Sequence, residues 1–315
     1  VTSGSVLLRG VARRLAGAVL LLWAAATLTF VGLRLLPGSV ESVVLGVHVN
    51  DPGLAGQVRA SLGLDRPFAV QYGDYLLGLL RGDLGRSYVL NADVSDVVGS
   101  QVGPTLALAG SAVVLAGAIA WLIAVLSAGA GRTTERILHV IELLAICLPT
   151  FWVGALLQLG FSFNLQWFPS VGADGFSSLV LPMLTLALPV AGLLSQYMRE
   201  EMAQALRQPW VLTVKSRGVS GFRLRATHLV PHVAVSSLTV AGNTLGLLIG
   251  GAVIVESVFG RPGLGRVALD AVTGSDAPVT VAVVLIITAA YVLITTAIDV
   301  AALVIDPRLR QEATS

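Results

Sequence analysis

Two groups of residues in this chain have types and positions that could do chemistry. Glu142, Gln158, Asn243 and Glu256 fall in or beside long apolar stretches. There a polar group faces either a protein interior or a wet path. Each has two readings: a hydrogen bond tying helices together, or part of a solvated pathway or gate. The second group is a short basic stretch, "PWVLTVKSRGVSG", at 209–221, which holds the only lysine of the chain, Lys215, beside Arg217. Catalytic constellations are missing. A phosphate loop needs Gly-Lys-Ser/Thr so that its lysine reaches the phosphates, but Lys215 follows Val214. His48, His139, His228 and His232 are dispersed without metal-ligand spacing, and no nucleophile is paired with a base. No enzyme activity is expected, and no metal, cofactor or nucleic acid is expected on this chain.

The elements that must position these residues follow from composition. Only 12% of the 315 residues are charged, about half the share of a soluble domain, so the chain belongs in a membrane. A mean hydropathy of +0.84 agrees. A crossing helix needs about 20 apolar residues, and six stretches qualify: 15–36, 105–130, 137 to about 163, 179–198, 233–258 and 279–305. The first is too long for a signal peptide and has no clean cleavage site, so it is expected to be a retained helix. The single Cys147 excludes an internal disulfide. Pro149, Pro182 and Pro189 are expected to interrupt or kink the third and fourth spans. Gly242, Gly246 and Gly250 recur on one face of the fifth, where a neighbouring helix could approach closely.

Basic residues orient the spans. Arg13 and Arg14 precede the first; Arg132 and Arg136 join the second to the third. Arg199, Arg207, Lys215, Arg217, Arg223 and Arg225 join the fourth to the fifth, and Arg308 and Arg310 follow the sixth. The short loop 164–178 has none. Both termini and the basic stretch are therefore expected in the cytoplasm. The resulting plan is a cytoplasmic N-terminus over 1–14, a first transmembrane helix over 15–36, and an extracytoplasmic segment over 37–104. A transmembrane core follows over 105–305, with a cytoplasmic loop at 199–232 inside it and a cytoplasmic tail at 306–315.

The basic stretch has its own local logic. Pro209 suits the first turn of a helix, where its missing N–H costs nothing, and Gly218 is a natural left-handed stop. Two turns between them put Trp210, Val211 and Val214 on one face and turn Lys215 and Arg217 towards water. So short a helix is marginal alone. It needs a surface: lipid headgroups or another protein.

That stretch resembles the cytoplasmic loop of permease subunits of ATP-binding-cassette importers, in particular the B-type subunit of the dipeptide/oligopeptide/nickel group. The family loop commonly reads Tyr-Val-Arg-Thr-Ala-Arg-Ala-Lys-Gly-Leu; here Trp210, Val211, Leu212, Thr213, Val214, Lys215, Ser216, Arg217, Gly218 and Val219 stand in that frame. Val214 and Ser216 replace small alanines, Leu212 replaces an arginine, and Pro209 replaces the usual acidic residue. The likeness covers nearly the whole chain. "RRLAGAVLLL" with "LRLLPG" is similar to the family's opening span, with Ser39-Val40 in place of its Asp-Pro. "LGLDRPFAVQYGDYLLGLLRGDLGRS" is similar to its extracytoplasmic segment and is the most specific match. "PTLALA", "LPTFWVG", "WFPSVG", "ESVFGRPGLGR" and "IDPRLR" follow in the family's order.

The resemblance implies an all-α polytopic membrane protein of the type I importer permease fold: six transmembrane helices, a cytoplasmic coupling helix and an extracytoplasmic segment after the first span. It implies that Trp210, Val211, Thr213, Val214, Lys215, Ser216, Arg217 and Gly218 dock on a cytoplasmic ATPase, with Trp210 or Val214 as the buried anchor. Arg261, Pro262, Gly263, Leu264 and Gly265 would touch an extracytoplasmic substrate-binding protein. The expected partners are a second homologous permease, two cytoplasmic ATP-binding subunits that carry ATP and Mg, that binding protein, and the lipid of a bacterial inner membrane. The expected cargo is di- or oligopeptides, with nickel, haem, glutathione, opines or another small solute as alternatives. An ATPase-independent channel or receptor is the competing class.

Overall fold

A computed structural model describes residues 3–35, 45, 52–61, 63, 65–230, 233, 237, 240–242 and 244–305. Its elements are helices; the β pairing among the described residues is an isolated antiparallel bridge between Arg86 and Asp93. Lipid has no donors or acceptors for the backbone, and a helix satisfies its N–H and C=O groups within its own segment.

The helices are α1 (Ser3–Leu35), α2 (Pro52–Ser61), α3 (Phe68–Leu80), α4 (Val94–Ser127), α5 (Arg132–Cys147), α6 (Thr150–Leu157), α7 (Ser177–Ala205), α8 (Pro209–Ser216), α9 (Gly221–Arg223), α10 (Leu245–Val258), α11 (Leu264–Thr273) and α12 (Ala277–Ile305). Among the described residues α4, α7 and Ala277–Ile298 of α12 are long and apolar enough to cross a membrane. Shorter apolar helices at Ala16–Gly32 and Leu248–Val258 mark the first and fifth stretches. Part of the fifth, 234–236, 238–239 and 243, lies outside the described residues.

The third stretch differs from a single straight helix. It divides into α5 and a second helix, Thr150–Asn164, bent 102° from it. The break falls at Leu148, extended at ψ 131° ahead of Pro149. The proline ring clashes with an α conformation in the residue before it. The last turns of the second helix, Gln158–Asn164, are wound as a π-helix. Pro182 and Pro189, by contrast, sit inside α7 without ending it. α4 also starts earlier than its apolar run, at Val94, and carries Pro104 in its interior.

The chain divides into two compact units, residues 1–10, 105–261 and 291–315, and residues 11–104 and 262–290. In the first, Leu108, Ala112, Ala116, Ala120 and Ala124 recur every fourth residue of α4 and are fully buried. They share a core with Leu181, Val190, Leu194 and Met202 of α7. Small side chains at that spacing let helices approach closely without a hydrophobic drive from lipid. α7 approaches α5 at Gly192. A Cβ there would lie 3.0 Å from the Glu142 backbone oxygen and 3.1 Å from Ala145 and Ile146. Gly192→Ala is therefore expected to cost about 1–3 kcal/mol, measured as a fall in thermal stability of the detergent-solubilised protein. Of the glycines on the fifth stretch, Gly242 lies close to Ile298, whereas Gly246 and Gly250 have nothing within 4 Å of an added Cβ.

In the second unit, Val94 and Val98 of α4 pack with Leu264 and Ala271 of α11 and Val279 of α12. Phe30 of α1 meets Phe68, Tyr72 and Tyr75 of α3 at centroid distances of 5.7, 5.4 and 4.9 Å. The Tyr72 hydroxyl bonds Thr27 Oγ1 at 2.6 Å. Burial, with the neighbouring Tyr72, pushes the Tyr75 hydroxyl up to about 12. A further polar tie holds loop 81–93. The Asp276 carboxylate accepts from Ser87 Oγ and from the Tyr88 and Val89 amides. Ser87 Oγ in turn accepts from the Leu90 amide at 2.8 Å.

Candidate functional site

The basic stretch folds as its turn chemistry predicts. α8 opens with Pro209 at its first position after an extended Gln208, and Arg217 caps its end. Gly218 then turns left-handed at φ +76°. The turn before α8 is closed by Arg207 N to Gln204 O at 3.1 Å and Gln208 N to Ala205 O at 3.1 Å. After α8, Ser220 caps α9 by accepting from the Arg223 amide. The Arg225 guanidinium donates to the Ala128 carbonyl beyond the end of α4. The segments on both sides of α8 are thus fixed by hydrogen bonds within the unit.

Its two faces differ sharply. Val211 is buried, and Trp210 and Val214 pack against the same core, which includes Met202 and Ala205 of α7. Trp210 and Val214 are partly buried against this chain's own core, on the face that the 3.6-residue period shares with Val211. The outward apolar residue is Leu212, 71% exposed, followed by Phe222 at 54%. Thr213, Lys215, Ser216, Arg217 and Gly218 are exposed around them. Leu212 stands where the resembling loop carries arginine, so family-based reasoning passed over it; its signal was its phase, opposite Val211 and Val214.

The polar residues within the apolar stretches are brought to partners inside the first unit. Glu142 is buried, and its Oε1 accepts from Ser195 Oγ at 3.0 Å and from Arg199 Nη1 at 3.0 Å. Its Oε2 has no hydrogen-bond partner among the described residues. Glu256 is fully buried, and its Oε1 accepts from Thr105 Oγ1 at 2.7 Å. Gln158 Nε2 donates to the carbonyls of Ser170, at 2.8 Å, and Val258, at 3.2 Å. These are ties between elements. Asn243 lies outside the described residues.

The turn after α10 is built inward. Arg261 is 6% exposed; its Nη1 donates to the Gly172 carbonyl at 3.2 Å and the Ser178 carbonyl at 2.9 Å. Burial lowers its pKa, and the Glu256 carboxylate partly offsets this. Leu264 belongs to the core of the second unit, and Gly263 and Gly265 are buried, which leaves Pro262 as the exposed residue of "RPGLG". Arg261 braces the start of this turn through those two carbonyls, and Pro262 is exposed.

Comparison with known proteins gives two matched family descriptions. "Binding-protein-dependent transport system inner membrane component" covers residues 87–311, and its N-terminal companion covers residues 7–109. A Brucella abortus protein assigned by name as a peptide transport system permease is 34% identical over 309 residues, 95% of this chain and 98% of its own length. The glutathione transport system permease protein GsiC of Salmonella choleraesuis is 33% identical over 305 residues, 96% of this chain and 99% of its own length. Matches of that extent, over apolar helices in this order, lead to one conclusion: the chain belongs to the binding-protein-dependent transport system inner membrane components, the multi-pass permease subunits of ATP-binding-cassette importers.

Proposed function

We propose that the chain forms one half of a translocation path for di- or oligopeptides, paired with a second homologous permease. Two ATPase subunits bind the ATP and Mg; one of them docks on α8 from the cytoplasm, and an extracytoplasmic binding protein delivers the cargo. The path lies in a bacterial inner membrane with both termini cytoplasmic, as the arginine-bearing loops favour.

The observation that carries this reading is the division of α8. One face is built into the core through Val211, while Leu212, Thr213, Lys215, Ser216 and Arg217 stand exposed. A helix locked to the bundle on one side and bare on the other can pass a push from a partner to the spans. Leu212 and Phe222 supply the apolar anchors, and Lys215 and Arg217 at the rim set register more than affinity. The names of the Brucella and Salmonella relatives favour peptide cargo; glutathione is itself a tripeptide. Nickel, haem, opines and other small solutes are the alternatives that the ligand of the cognate binding protein would reveal.

The test is co-purification with the cognate ATPases, followed by Gly218→Trp. An added Cβ at Gly218 meets nothing within 4 Å, but its φ of +76° strains any L side chain by about 1–2 kcal/mol, and the indole projects from the bare end of α8. ATP-dependent uptake is expected to fall about tenfold or more, with the ATPases released. Uptake at the parental rate in this variant would show that α8 is not the coupling element. Solute flux through the purified chain without ATPases would favour a channel.

A further inference from the structure

α7 presents Gly192, Ser195 and Arg199 to the same residue of α5. Gly192 lets the helices close on the Glu142 backbone, and Ser195 and Arg199 both donate to Glu142 Oε1. The pair is buried, with side-chain exposures of 16% for Arg199 and 2% for Glu142. Yet the arrangement is lopsided. Oε2 is enclosed and takes no hydrogen bond among the described residues, although a guanidinium can fork across both oxygens of a carboxylate. A buried acceptor left unmet is costly, so this contact is not at its best in the conformation seen.

We propose that Glu142 and Arg199 form a two-position latch between α5 and α7, held by one hydrogen bond in this conformation and by a bidentate fork in the other. Arg199 is then a positioning residue for transport. The proposal rests on α8 being the ATPase handle. Beyond Arg199, Met202 and Ala205 of α7 share a core with Val211 of α8, so a push on α8 is carried into α7 next to the latch. Only an interaction that differs between two states can bias their equilibrium. A second tooth on Oε2 is such a difference.

The experiment uses the whole importer in proteoliposomes with its binding protein and trialanine as probe, and reads cargo moved per ATP hydrolysed in complexes of matched subunit composition. Arg199→Lys keeps the charge and removes the fork. Glu142→Gln is isosteric, keeps the Oε1 contacts, and puts an NH2 where the second tooth would land. Both are expected to lower cargo per ATP about tenfold. Wild-type coupling in both variants overturns the latch, as does a loss of assembled complex whose remainder couples normally. If the wild-type chain brings down no ATPase, the handle reading fails and the latch fails with it.

Discussion

Leu212→Asp is expected to strip the ATPase subunits from the complex while leaving the permease folded. The side chain is 71% exposed and outside the core, so substitution costs the isolated chain no more than about 0.5 kcal/mol. Docked in a partner's cleft, the same position would bury a carboxylate without a partner, a loss of at least about 2 kcal/mol. That is about thirtyfold or more in affinity. Val211→Asp is the contrasting control. Val211 is 1% exposed, so its substitution removes the folded protein instead. Subunit stoichiometry after affinity purification separates the two outcomes. ATPases retained at full ratio on a folded Leu212→Asp chain would mean that docking occurs elsewhere.

Asp276→Ala is expected to have the larger effect on stability. Asp276 is 2% exposed and accepts from the Ser87 hydroxyl, from the Tyr88 amide at 3.2 Å and from the Val89 amide at 3.3 Å. Alanine removes the acceptor of three donors; the buried Ser87 hydroxyl loses most, about 1–3 kcal/mol, while water reaches the exposed Val89 amide. The expected total is about 2–3 kcal/mol. Asp276→Asn keeps one acceptor oxygen and should fall between the two. Limited proteolysis across 81–93 and thermal unfolding in detergent measure the change. An alanine variant within 1 kcal/mol of the parent would show that loop 81–93 is held by its apolar contacts, such as Leu84 against the core of the second unit.

The local features were legible before any fold was known. Pro209 and Gly218 bracket α8 because a missing N–H and a left-handed turn are properties of single residues. Pro149 marked a break for the same reason, although its 102° bend was not predictable from the ring alone. Packing partners were less legible. The glycine repeat on the fifth stretch drew attention, yet the close approach of α7 to α5 is at Gly192, and the buried ladder is alanine on α4. A small residue permits contact wherever it occurs; which one is used depends on which helix lies opposite.

Hydropathy and turn chemistry by themselves determined the membrane class, most of the spans, the loop helix and its stop, because each depends on residues a few positions apart. Tertiary structure alone decided that Glu142 meets Ser195 and Arg199, 53 and 57 residues on, that Glu256 meets Thr105 across 151, and that Ser87 meets Asp276 across 189. It also packed Trp210 and Val214 partly against the core and left Leu212 bare. The reason is physical: a buried polar group must find a partner wherever the packing of helices brings one, and that packing is not written in the spacing of neighbours.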